Sequence, residues 1–265
     1  MESFVPEESI VRKIWSRGDT VLLIFAGASA EFALNKAVDW LYFTGRLPAD
    51  PLGRLFSTVE YARQIIFSPT DAALASIDRI ASIHRGVEQA RAARIPDAAY
   101  LDVLFLLIDY SIRSFELLER KLSRQERGEV FVVFHRVGVR MGLKELPDNY
   151  EDWAIRRVRY LKENLVRSDF TQNLYNRYRE NLGSWRYRLL LQTQVLLAPP
   201  TVRRLLRLPS FPLLWPVVQV YRLVRLLRWD GWVRAILLPR QYRPLVSRLD
   251  VRGDTRPGGR PASIS

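Results

Sequence analysis

Three residues between Leu52 and Val87 carry chemistry in otherwise apolar surroundings: Arg54, Thr58 and His84. Arg54 and Thr58 are one helical turn apart in a segment with helical patterning, Pro51 to Ile66, so their side chains lie one above the other. A second helix, Asp71 to about Ala92, carries Ile77, Ile80 and Val87 at helical spacing. His84 falls inside that stripe. When two such helices pack, a cation, a hydroxyl and an imidazole meet in a hydrophobic interior. Such a place can hold a haem or activate a small molecule.

The other residues of these types have ordinary readings. His135 stands beside Phe131, Val132 and Val139, the pattern of a histidine that completes a core. Asp109 and Arg113 are four apart after the apolar run Val103 to Ile108, the spacing of an intrahelical ion pair. His84 alone has the same default, and Arg54 and Thr58 also read as a snorkelling arginine and a back-bonding threonine. The chain has no cysteine, which excludes disulfides, iron–sulfur clusters, zinc–thiolate sites and cysteine nucleophiles within it. Its two histidines are too few for a histidine cluster, but an axial haem ligand needs one. No glycine-rich phosphate loop, serine elbow or His-Glu-x-x-His zinc motif occurs.

The elements that must position these side chains are all helical. No stretch alternates at period two, and the pattern predicts a single large all-α domain of about ten helices, with a Pro/Arg/Leu-rich helical C-terminal part. Pro6-Glu-Glu opens a short helix ending near Arg17-Gly18. Asp19 or Thr20 caps a long apolar helix reaching Phe43 and closed by Gly45. Ser68-Pro-Thr-Asp caps the His84 helix, and Pro96 opens a helix from Asp97 to Leu122. Ser123 and Glu126 have capping-box spacing for a helix through Met141, stopped by Gly142. Leu146-Pro-Asp-Asn149 begins another to about Val166, and two more flank Gly183 between Asp169 and Leu197. Residues 1–184 are expected to form the helical core, 185–250 a basic extension packed on it, and 251–265 a disordered tail.

Charge divides the chain. From Trp185 to Ser265 there are 15 basic and 3 acidic residues, a net +12, whereas the whole chain carries +13. A one-sided charge of this kind points to an anionic partner. The arginines there are interleaved with Leu, Val and Trp, which favours an anionic membrane surface over nucleic acid, and no nucleic acid is expected as partner. In Val217 to Trp229, Arg222, Arg225 and Arg228 recur every three residues along one side, with Val217, Val220, Leu223, Val224 and Leu227 supplying apolar surface. Either the helix lies in a lipid interface or its apolar side packs on the body. The acidic N-terminus has no apolar run and does not read as a signal peptide, and Thr20–Phe43 is interrupted by Glu31, Lys36 and Asp39. The expected location is cytoplasmic, free or peripheral on a membrane.

The series Arg54-Leu-Phe-Ser-Thr58, Arg79 to His84 and Ile95-Pro-Asp-Ala-Ala-Tyr-Leu101 resembles the MpaB-type oxygenase family, which includes the latex-clearing proteins. Asp109-Tyr-Ser-Ile-Arg113 is similar to that family's Glu-Pro-x-Arg segment, and Arg140 to Pro147 to its later Met-Gly…Leu-Pro turn. The likeness runs from about Arg17 to Leu182 and is weaker in the Leu/Pro/Arg-rich end. It implies an all-helical fold that binds haem b, with His84 as the iron ligand and Arg54 and Thr58 in the haem pocket at the oxygen-binding side. Ser57 stands where latex-clearing members have a lysine ligand, and Asp109-Tyr110 replaces Glu-Pro. The implied activity is oxygenation of a small lipophilic substrate with O2. The alternative is a non-enzymatic helical protein of the same fold that binds an anionic membrane or partner through its basic end.

Overall fold

The computed structural model describes residues 2–43, 51–209 and 211–226. Among them the fold is all-α, as the sequence predicts, and β-pairing is limited to the isolated bridges Ser3–Pro69 and Asn35–Leu165. The helices are α1 (Ile10–Trp15), α2 (Gly18–Phe32), α3 (Asp39–Phe43), α4 (Pro51–Phe67), α5 (Thr70–Arg91) and α6 (Asp97–Leu118). Then follow α7 (Arg124–Arg140), α8 (Tyr150–Glu163), α9 (Asp169–Leu197), α10 (Pro200–Leu206) and α11 (Trp215–Leu226).

Helix ends that depend on local signals fall where the sequence puts them. Ser123 and Glu126 form a reciprocal capping box at the start of α7, and Gly142 ends that helix region in a left-handed conformation (φ 75°). Asn149 caps α8 by accepting the Asp152 N–H at 2.9 Å. Gly183, at φ 73° and ψ 166°, interrupts α9 and makes two helices of it.

Other ends differ from expectation. Pro6-Glu-Glu forms a turn ahead of α1, whose cap is Ser9: its Oγ accepts the Val11 N–H at 3.2 Å. Arg17 occupies the N-cap of α2 without a side-chain cap bond, and Asp19 and Thr20 lie inside the first turn. The long helix expected through Phe43 stops at Phe32. There the Asn35 carboxamide accepts the Ala37 N–H at 2.8 Å and donates to Asp102 at 2.6 Å, a side-chain competitor to helical hydrogen bonding. Gly45 lies outside the described residues. Ser68 makes no cap for α5; the Thr70 N–H and hydroxyl instead donate to the Glu2 carbonyl at 2.9 and 3.0 Å. α6 ends at Leu118 rather than Leu122, because the Glu116 carboxylate turns back to accept the Leu122 N–H at 3.1 Å.

The core forms where α2 crosses α6. Gly27 permits the approach: a Cβ there would lie 2.3 Å from the Tyr110 ring. Trp15 of α1 is fully buried and donates from Nε1 to Ser111 Oγ at 3.2 Å. Tyr187, Leu190 and Leu191 of α9 pack on Ala33, Leu174 and Tyr175, and Val202 of α10 packs with Ala30, Leu34 and Leu161. The expected tail, 251–265, lies outside the described residues. Among the described residues no helix is long and apolar enough to cross a membrane.

Candidate functional site

α4 and α5 are joined by Ser68-Pro69 alone and pack against each other, so they run antiparallel. At 1.5 Å per residue, Arg54 lies about 20 Å from the α4 end of that link and His84 about 21 Å from the α5 end. Their backbones are therefore at the same level, with Thr58 about one turn nearer the link. The structure brings the three sequence-predicted positions onto one helical hairpin. The Arg54 side chain lies outside the described part of the structure.

The hairpin is tight at one end and opens at the other. Val59, Ala62, Ile65 and Ile66 of α4 meet the core together with Ala73 and Ile77 of α5. Beyond Ile77 the α5 stripe emerges: Ile80, His84 and Val87 are half-exposed, as are Ser57 and Thr58 on α4. The open end of the hairpin thus carries an imidazole and a hydroxyl, both partly exposed. At its far end Arg91 pairs with Asp39 at 2.8 Å, its guanidinium 4.0 Å from the Trp40 ring centre.

Two residues not foreseen as part of the site surround His84. The Tyr100 ring meets the imidazole edge-on, with centroids 5.1 Å apart and planes at 68°. Its hydroxyl lies 3.5 Å from Glu88 Oε1, which also accepts the Ile95 N–H at 2.9 Å. Burial and then the Glu88 charge push the Tyr100 pKa up, so the phenol stays protonated and faces the carboxylate as a donor. Glu88 is one turn after His84, and Tyr100 is in the first turn of the next helix. That spacing is visible in the sequence but too common to single out.

His135 is on α7, its ring 5.4 Å from Phe131. Asp109 and Arg113 form the expected ion pair at 2.7 Å. Asp109 has a second partner that local spacing does not reveal. The Arg157 guanidinium of α8 holds Glu31 of α2 at 2.5 and 2.6 Å and Asp109 of α6 at 3.0 and 3.2 Å. Burial alone would lower the Arg157 pKa, but the charges of Glu31 and Asp109 outweigh it and raise it. Nearby, Asp102 accepts from Asn35 and Asn164, and burial raises its carboxyl to about 6. These clusters tie α2, α6 and α8 together beneath the hairpin's supporting core.

Among the described residues no group of three or more His, Cys, Asp or Glu is arranged to hold a metal ion. A haem brings four ring nitrogens and asks one ligand of the protein. One imidazole on a half-open apolar stripe therefore fits a haem as a donor set, where it would not fit a bare ion.

Residues 15–232 match the family described as ER-bound oxygenase mpaB/B'/rubber oxygenase, catalytic domain. The chain belongs to this family. The match continues past Leu182, where the resemblance in the motifs weakens, and takes in α9, α10 and α11. No individual curated protein and no solved structure matches.

Proposed function

We propose that this member of the mpaB/rubber oxygenase family is a haem-b-dependent oxygenase of a lipophilic substrate, with its site on the open end of the α4–α5 hairpin. Family membership across residues 15–232 carries the reading, and the level placement of Arg54 and His84 on paired helices supports the site. His84 would hold the cofactor from the α5 side. Bound there, haem supplies the iron centre for activating dioxygen. Arg54 would bring a fixed positive charge, either to a propionate or to the oxygen side, and Thr58 would hold a proton at Oγ1 on that side. Tyr100, tethered to Glu88, keeps its ring edge against the imidazole and limits its rotation. The half-exposed Ile80 and Val87 would offer apolar contact to a lipophilic substrate. The net +12 of residues 185–265 supports a cytoplasmic protein peripheral on a membrane, since the cytoplasmic leaflet is the anionic one.

The test is the visible spectrum of protein produced with adequate haem. The wild type is expected to show a Soret band, His84→Ala to lose or greatly weaken it, and His135→Ala to retain it. Arg54→Ala and Thr58→Ala should change haem retention or autoxidation rate more than Arg63→Ala, because Arg63 donates to the Trp15 carbonyl at 3.2 Å, on the α1 side. A folded wild type without the band would refute the oxygenase reading and leave a helical protein of the same fold. Loss of the band only in the His135 variant would overturn the ligand assignment.

A further inference from the structure

α11 is amphipathic, and its polar side is the one that faces the protein. Tyr221 donates to the Asp19 carboxylate of α2 at 2.9 Å. Arg222 donates to the Glu119 carbonyl at the C-cap of α6 at 2.5 Å, where a cation also suits the helix dipole. At about 100° per residue, Leu223, Pro216, Val220 and Val217 share an arc of roughly 120° on the opposite side. That side is open: Val217, Val220 and Leu223 are 58%, 60% and 63% exposed. The segment leading into the helix is exposed too, with Phe211 at 71% and Leu213 at 63%. Of the three arginines that recur along one side, Arg222 faces the body. The Arg225 side chain and all of Arg228 lie outside the described part.

Scattered exposed aliphatic residues mean little, but a run of them on one helix and its approach marks a surface that is covered in use. The chemistry of the face selects what covers it. The outward arc contains no polar side chain, whereas a protein partner needs hydrogen-bonding groups around an apolar centre. The chain around the face is basic, with Arg203, Arg204 and Arg207 before it and a net +12 from Trp185 onward. An apolar helical face with cationic surroundings complements an anionic bilayer interface.

We propose that α11 is a membrane-insertion element: Phe211, Leu213, Val217, Val220 and Leu223 enter the headgroup region of an anionic bilayer, while Tyr221 and Arg222 fasten the helix to the body. This does not depend on haem or on the oxygenase reading.

The absence of native cysteine makes the test direct. The full-length Val220→Cys protein is labelled with an environment-sensitive dye, with Lys162→Cys, exposed on α8, as the comparison. On addition of phosphatidylcholine vesicles containing phosphatidylglycerol, emission from position 220 should shift to the blue and intensify. Position 162 should not respond, and neither position should respond to phosphatidylcholine alone. The Val217→Asp/Val220→Asp/Leu223→Asp protein, its fold checked by circular dichroism, should partition more than roughly tenfold less, given the aliphatic burial it forgoes. Emission at 220 that is already blue-shifted without vesicles and unmoved by them would overturn the proposal in favour of cover by the chain's own residues 227–265. A blue shift that grows with protein concentration in the absence of lipid would overturn it in favour of a second copy. Equal responses at the two positions, or undiminished partition of the folded triple variant, would also refute it.

Discussion

Replacing Arg157 with methionine isolates the strongest electrostatic commitment in the core. Its side chain is 5% exposed, and those of Glu31 and Asp109 are 4% and 11% exposed. Removing the guanidinium strands two carboxylates, but unequally. Asp109 keeps Arg113 at 2.7 Å, so the loss concentrates on Glu31. Breaking a buried ion pair from one side costs about 3–5 kcal/mol, chiefly the burden of the charge left behind. At about 2–4 °C per kcal/mol for a domain of this size, Arg157→Met should melt roughly 10 °C lower. Removing both ends of the bond, in Arg157→Met/Glu31→Met, deletes the stranded charge and should recover most of the loss. The assay is urea unfolding of the wild type, each single variant and the double variant. A single-variant cost below about 1 kcal/mol, or a double variant no more stable than Arg157→Met, would refute the claim that the triad joins α2, α6 and α8 as a unit.

Two other predictions concern the same helices. Gly27→Ala places a Cβ 2.3 Å from the fully buried Tyr110 ring and should cost about 1–3 kcal/mol or more. Gly138→Ala meets only the movable ends of Leu104 and Leu146 at 2.8 Å and gains up to about 1 kcal/mol of helix propensity, so thermal melts should rank it well above the Gly27 variant. Asp102 binds its proton more tightly in the folded chain, at about 6 against 3.8 unfolded. Its stabilising contribution is complete below the unfolded value and disappears as pH rises through about 6, a swing of about 3 kcal/mol at roughly 1.4 per unit. Asp102→Asn should remove that component of the pH–stability curve, and superimposable curves for variant and wild type would count against it.

What was legible in the sequence was what neighbouring residues decide. The Ser123–Glu126 box, the Asn149 cap and the Gly142 and Gly183 breaks all act within a few residues, and each stands where its spacing puts it. The failures are the ends decided at a distance. α2 stops where Asn35 reaches Asp102, 67 residues away, and the Val166 N–H takes the Leu34 carbonyl at 2.7 Å. The candidate site divides in the same way. His84 announces itself as an imidazole in an apolar stripe, and two helices joined by two residues must bring Arg54 level with it. Arg157, Glu31 and Asp109 have no common spacing, and Arg113 already supplies Asp109 with a cation one turn away, so the sequence carries no sign of the second.

α11 shows where periodicity stops being informative in principle. A helical wheel separates an apolar arc from a polar one, but it does not say which arc faces the protein. The usual default, apolar side inward, rests on the assumption that water is the only alternative environment. Here the orientation is set by two acceptors far off in the chain, Asp19 for Tyr221 and the Glu119 carbonyl for Arg222. Filling them with α11 donors turns Val217, Val220 and Leu223 away from the body. The same basic, Leu-rich sequence would tolerate the opposite rotation if those acceptors were covered by other groups. The surface that α11 presents thus depends on residues 19 and 119 as well as on the basic segment itself.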